Sequence, residues 1–181
     1  MKDNIGISGQ IRLECHRLGF WSKLASDFLS AVGRSDLAVL IIRKYGILKY
    51  DTGFIKNTIT NAGLAVISGL VGNTGSQTAF TYLAVGTSST APAASQTTLG
   101  GEISTNGLGR AAATVSRVTT TQTNDTLRLL KAFAVSGTST VEEAGMFNAS
   151  SSGVMLNRAL TATKPVVNGD TLTVTYDVKF A

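Results

Sequence analysis

Toward the end of the chain, Thr171 to Phe180 alternates without a break. Leu172, Val174, Tyr176, Val178 and Phe180 point one way, and Thr173, Thr175, Asp177 and Lys179 the other. A period of two with one apolar and one polar set predicts a strand with one buried face. The same reasoning predicts strands over Phe80 to Val85 (ended by Gly86), Arg110 to Thr119, Thr126 to Val135, Glu142 to Phe147 and Val154 to Leu160. Asn124-Asp125, Ser150 to Gly153 and Asn168-Gly169-Asp170 supply turn chemistry between them. Short strands at this spacing imply a mainly β chain, an antiparallel β-sandwich of jelly-roll or Ig-like kind with one or two short helices. Thr87 to Gly101 is a small-residue loop whose tip is expected to be mobile.

The first third of the chain is mixed. Ile5 to Leu13 reads as a strand, with Ile11 and Leu13 opposite Arg12 and Glu14. From Trp21 the period changes: Trp21, Leu24, Ala25, Phe28, Leu29 and Val32 form an amphipathic helix stripe. Ser22 is placed to cap its start and Gly33 to end it. The stripe has two readings, packing on the main domain, which is the default, or insertion into a partner. Asp36 to Lys44 reads as a strand apolar on both faces, with Gly46 turning the chain so that Ile47 to Phe54 returns beside it. Thr60 or Asn61 then caps a second helix, Ala62 to Val71, with Leu64, Ile67, Leu70 and Val71 on one side. Gly63 and Gly69 weaken that helix by about 1 kcal/mol each, so it depends on tertiary packing. This divides the chain into an N-terminal extension, 1–36, and a sandwich domain, 37–181.

Composition narrows the function classes. Hydrophobic residues make up 43% of the chain, enough for a core, while charged residues are only 15%. The usual share is about a quarter, so the polar surface must be built mostly from Thr, Ser, Asn and Gly. The net charge of +5 is lopsided: residues 1–56 carry nine Lys or Arg against five acids, the rest seven against six. A solvated face explains the excess, and a docking surface for an acidic partner comes next. Arg43-Lys44-Tyr45 is the only dense cationic spot, so no nucleic acid is expected. The first thirty residues lack a signal-peptide pattern, and Ala62 to Gly72 is too short to cross a bilayer, so a soluble chain made in the cytoplasm, without membrane contact, is expected.

Candidate chemistry is sparse. One cysteine, Cys15, permits no internal disulfide framework, and His16 is the only histidine. The two are adjacent on a predicted strand, so they face opposite ways and cannot easily share a proton. Metal ligands are scattered except for Glu142-Glu143, of which one is expected to be buried and hydrogen-bonded and the other exposed. Gly107-Leu108-Gly109-Arg110 lacks the Lys-Ser/Thr of a phosphate loop. No enzyme, cofactor, metal or small-molecule substrate is expected.

Four segments in order carry a resemblance: Phe54 to Leu64 (FIKNTITNAGL), Tyr82 to Thr87 (YLAVGT) with Thr90-Ala91-Pro92-Ala93, Glu143 to Ala149 (EAGMFNA) with Gly153, Met155-Leu156 and Arg158, and Gly169 to Val174 (GDTLTV). From about Leu37 onward the chain resembles small virion proteins of tailed bacteriophages, described as structural, tail-fibre-like or decoration-like. The resemblance implies a β-sandwich building block of the particle and carries no functional residues across. It implies a homo-oligomer in the virion, contacting copies of itself and tail, neck or capsid proteins. A tail, neck or baseplate component is the leading expectation and a capsid decoration protein the alternative. A receptor- or glycan-binding fibre module is a further alternative, weakened because 87–109 holds no aromatic residue, and an envelope-degrading enzyme comes last. Residues 1–36 match nothing in the family, so the basic, amphipathic N-terminal region is the expected anchor, with Trp21, Leu24, Phe28, Arg43 and Lys44 as its partner-docking residues.

Overall fold

The computed structural model describes residues 6–180, so Ile5, the expected start of the first strand, lies outside the described residues. In chain order the elements are β1 (Ile7–Arg17), α1 (Phe20–Ala31), α2 (Ser35–Tyr45), β2 (Ile47–Asp51), β3 (Ile55–Lys56), β4 (Thr58–Ile59) and α3 (Asn61–Gly72). Then follow β5 (Tyr82–Gly86), β6 (Ala111–Ala112), β7 (Thr114–Val118), β8 (Thr126–Ala134), β9 (Ser139–Phe147), β10 (Met155–Val166) and β11 (Asp170–Phe180). One antiparallel sheet has the order β2-β1-β11-β8-β7, with β3 also against β1; the other runs β4-β10-β9-β5-β6. β6 and β7 belong to different sheets, and the chain passes between them at Ala113, whose N–H donates to the Thr81 carbonyl. Ile11, Leu13, Leu129, Phe133, Leu172, Val174 and Val178 of the first sheet face Leu83, Val85, Ala144, Met146 and Ala159 of the second in one continuous core. The fold is the expected mainly β sandwich.

Four expectations need correction. Residues 36–44 form not a strand but the helix α2, making three helices. A run apolar on all sides does not define a period, and here the buried positions are Ala38, Val39 and Ile42, one helical face. Asp36 in the first turn and Arg43 and Lys44 in the last suit the helix dipole, and Gly46 donates its N–H to the Ile42 carbonyl at the end. β2 therefore returns against β1 instead. The division at residue 36 also fails, because β1 pairs with β11 along its whole length, from Ile7↔Phe180 to Arg17↔Asp170. The α1–α2 hairpin is thus an insertion between two neighbouring strands.

The third correction concerns α3. Thr60 caps it as expected, accepting from the Gly63 N–H at 2.9 Å and donating to the Met155 carbonyl at 2.5 Å. Its buried residues, however, are Gly63 and Val66, while Leu64, Leu70 and Val71 are exposed. The reason is the close approach at Gly63, where a Cβ would stand 2.6 Å from Leu156 Cα. The helix turns its small residue, not its largest ones, toward β10.

The fourth is the polar side of β11. Thr171, Thr173, Thr175 and Asp177 are all buried. The hairpin lies over that side of the first sheet, with Leu18, Val39 and Ile42 packed on Leu130 and Ala132. Charge on this face is paired: Arg128 grips Asp177 with two hydrogen bonds of 2.7 Å, and Arg43 reaches Glu14. Both faces of the strand are covered.

On the opposite side of the molecule, the loop whose tip is expected to be mobile is tied down at both ends and near its middle, where the Asn61 N–H donates to the Ala94 carbonyl. Glu143, fully buried, accepts from the N–H groups of Ser88 (3.2 Å), Gly100 (3.1 Å) and Gly101 (2.7 Å) and from Arg158 Nε (2.5 Å). Arg158 Nη1 donates to Gln96 of the same loop. Glu142 is half-buried and accepts from Thr163. Removing the Arg158 guanidinium strands a buried carboxylate, at a cost of about 3–5 kcal/mol. Urea unfolding of Arg158→Met should show that loss, and adding Glu143→Gln should restore part of it.

Candidate interaction face

Helix α1 is seated by its polar side. Ser26 is its buried residue, and Ala25 and Leu29 are half-buried. The stripe points away from the body: Trp21 is 78% exposed, Phe28 66% and Leu24 55%. Core packing, the default reading of the stripe, is therefore overturned. Phe20 joins it, its ring edge-on to Trp21 at 5.2 Å between centroids. Between α1 and α2 lies an open groove lined by Gly19, Trp21, Ser22, Ala25, Ile41 and Tyr45. Tyr45 leads through Gly46 directly into β2, where Ile47 and Leu48 are exposed as well. The result is an apolar surface on the two helices, with Leu48 on the same side of the strand that follows.

The expected docking residues divide. Trp21, Leu24 and Phe28 come together on α1. Arg43 is diverted to the buried Glu14 carboxylate, to which its Nε donates at 3.2 Å, and so does not offer a free cation. Lys44 lies 5.3 Å over the Tyr45 ring. The other basic residues of this region also have carboxylates: Lys23 with Asp27 (2.8 Å), Arg34 with Asp36 (3.3 Å), and Lys49 and Arg17 with Asp170 (2.6 and 2.7 Å). Among the described residues of α1, α2 and β2, Lys44 is the one cation without such a partner. Phe20, Tyr45 and Leu48 were not legible as part of the face, since the last two flank a segment that reads as extended.

The titratable groups are built into the scaffold. Cys15 points into the core, and burial, with Asp170 adding to it, pushes its thiol up to about 11. His16 faces the other way, under the hairpin, where burial pushes its imidazole down against the pull of Glu14. Burial also pushes the Asp170 carboxyl up, but hydrogen bonds from Lys49, the Val167 N–H and Arg17 outweigh it and hold the carboxyl below its usual range. Among the described residues no three His, Cys, Asp or Glu side chains gather where they could hold a metal ion. No helix among them is long and apolar enough to cross a membrane. A second apolar feature, a groove of about 280 Å³ between α3 and the ends of β7 and β11, is lined by Ile67, Leu70, Phe80, Val115, Leu127 and Phe180. Comparison with protein-family models, curated proteins and solved structures finds no match to the chain.

Two outcomes follow from this arrangement. Ile42→Ala, which opens the contact beneath the hairpin, should cost about 2–5 kcal/mol in denaturant unfolding, whereas Phe28→Ser on the outward stripe should stay within about 0.5 kcal/mol. For Asp170 the folded-state value is depressed, so its contribution is complete above the ordinary aspartate value and is lost as pH falls below about 4. The stability difference between the wild type and Asp170→Asn, measured by thermal unfolding across pH, should be widest near neutrality and close below that point.

Proposed function

We propose that this protein is a non-enzymatic structural subunit of a tailed-bacteriophage virion, a tail, neck or baseplate component that docks through the α1–α2–β2 face. The observation that carries this reading is the exposed stripe of Phe20, Trp21, Leu24 and Phe28 on a chain whose buried charges are matched internally. A contiguous apolar face of this size marks a contact surface rather than a solvent-facing one.

The residues behind the family resemblance support the same reading, because each has a scaffolding role. Glu143 and Arg158 bind the long loop, the Asn148 side chain accepts from the Val154 N–H at 2.7 Å to close the hairpin, and Gly169 has a φ of 86° in the turn before the last strand. A building block shared among related particles would keep such residues and vary its contacts. The glycan-binding alternative gains nothing from the long loop, which is pinned to Glu143 and carries no aromatic ring.

Quantitative mass spectrometry of purified particles tests the assignment. A ring component of the tail or neck should appear at about six to a few dozen copies per particle, as closed symmetry requires. Hundreds of copies would move the protein to the capsid surface as a decoration subunit, and its absence from purified particles would sink the structural reading. A Trp21→Glu/Phe28→Glu variant should fold normally and be lost from particles.

A further inference from the structure

We infer that the α1–α2–β2 face is a two-fold interface whose occupant is the same face of a second copy of this chain. The inference deepens the structural-subunit reading by naming the partner. Three observations lead to it.

The first is area. Phe20, Trp21 and Phe28 are 74%, 78% and 66% exposed, and Leu24, Tyr45 and Leu48 are each more than half exposed. With roughly 150–250 Å² per aromatic side chain and somewhat less per aliphatic one, the face offers on the order of 800 Å². That is about one partner's share of a standard stable interface, and more than the few hundred Å² that a monomer commonly leaves open. A second copy meeting it face to face supplies an equal apolar area. The 280 Å³ groove beside α3 is much smaller and would cover only one or two of these side chains, so head-to-tail docking leaves most of the face wet.

The second is charge. Lys23, Arg34, Arg43 and Lys49 are each held by a carboxylate of the same chain. Among the described residues of the face, Lys44, over the Tyr45 ring, is the one cation left without a carboxylate, so the face is close to neutral. Two copies do not repel one another across it, and it has little attraction for nucleic acid or an anionic bilayer despite the positive total.

The third is the edge of the sheet. β2 is the outermost strand, and among the described residues only β1 pairs with it. It has no proline; its pairing with β1 shifts register once, at Lys49, and its two charged residues, Lys49 and Asp51, are engaged with Asp170 and Arg12, which leaves Ile47 and Leu48 as its uncharged stretch. Natural sheets protect such edges by charge, proline, bulges or cover. A two-fold axis beside β2 lays it antiparallel to its copy, so the free backbone groups find partners while Leu48, on the His16 side of the strand, joins the apolar contact. One operation thus covers the helices and the strand together.

The test uses the whole purified chain. Light scattering after gel filtration should give twice the 18.8 kDa chain mass, and dilution should release monomer. Trp21 is the only tryptophan, so its emission should move to the red as the dimer dissociates. Trp21→Glu and Leu24→Glu should be monomeric, with far-UV circular dichroism and unfolding midpoints like the wild type. Val71→Glu, at the rim of the other groove, should leave the dimer intact. A wild-type monomer at about 100 μM, where a micromolar interface is nearly saturated, overturns the inference. So does a dimer that survives Trp21→Glu, or assemblies abolished by Val71→Glu, which would establish head-to-tail docking. Binding of the wild-type monomer to anionic lipid vesicles, abolished by Trp21→Glu, would overturn it in favour of a membrane. A monomer found in particles refutes only this interface, and a dimer absent from particles refutes only the structural-subunit reading.

Discussion

The outer layer of the second sheet depends on one buried ion pair. Glu143 and Arg158 stand side by side on β9 and β10, both almost fully buried, where each charge has lost its water. Such a pair is stable only when the remaining lone pairs are satisfied. Here three backbone N–H groups of the Thr87–Gly101 loop do so, and the loop is ordered because the carboxylate needs it. Once held, it places Leu99 on Ala84, Phe147 and Met155 in a small separate core. Arg110 then lies 3.5 Å over the Phe147 ring, pairs with Glu102, and donates to the Ala149 and Ser152 carbonyls of the next hairpin. A long segment without regular structure is thereby converted into a third layer.

The outer side of the first sheet is solved differently. It is polar in sequence and buried in structure, and its cover is a helical hairpin that meets it through only a few apolar residues. Asp177, Glu14 and Asp51 have guanidinium partners. The hydroxyls of Thr171, Thr173 and Thr175 and the Nδ1 of His16 have no protein partner at all. Buried polar atoms left this way cost about 1–3 kcal/mol each. Among the described residues the loop layer leaves one such atom of its own, Arg158 Nη2, against the three hydroxyls and one ring nitrogen here.

Much of the fold was legible because its signals are local. The strand at Thr171–Phe180, the cap at Thr60 and the turn glycine Gly169 each depend on a few neighbouring residues and read correctly as strand, cap and turn, although the polar side of that strand is buried as well. Gly33, with a φ of 76°, ends α1 as its type predicts. The misreadings arise where a second element intervenes. Residues 36–44 are apolar throughout, so only the packing of Ala38, Val39 and Ile42 on the sheet decides between strand and helix. The buried side of α3 is chosen by a backbone approach at Gly63, which hydrophobic periodicity does not record. Amphipathicity in α1 marked an apolar stripe but carried no information about whether the sheet or solvent meets it, and the sheet is met by the other side of the helix. The Glu143–Arg158 pair was half legible, since one glutamate of two was expected inside, but nothing local names its arginine.

The pairing of β1 with β11 has a consequence for how the chain comes to be folded. Among the described residues the first strand, β1, and the last, β11, are neighbours, joined along their full length. The first sheet therefore has no centre until β11 is in place, and contacts of such high sequence separation form slowly. Until then β1, which leads into the aromatic hairpin, has only the short strands β2 and β3 beside it and an open edge on its other side. The open edge of β1 and the apolar hairpin beside it are exposed together until β11 closes the sheet, so this is the stage at which the chain is most prone to aggregate.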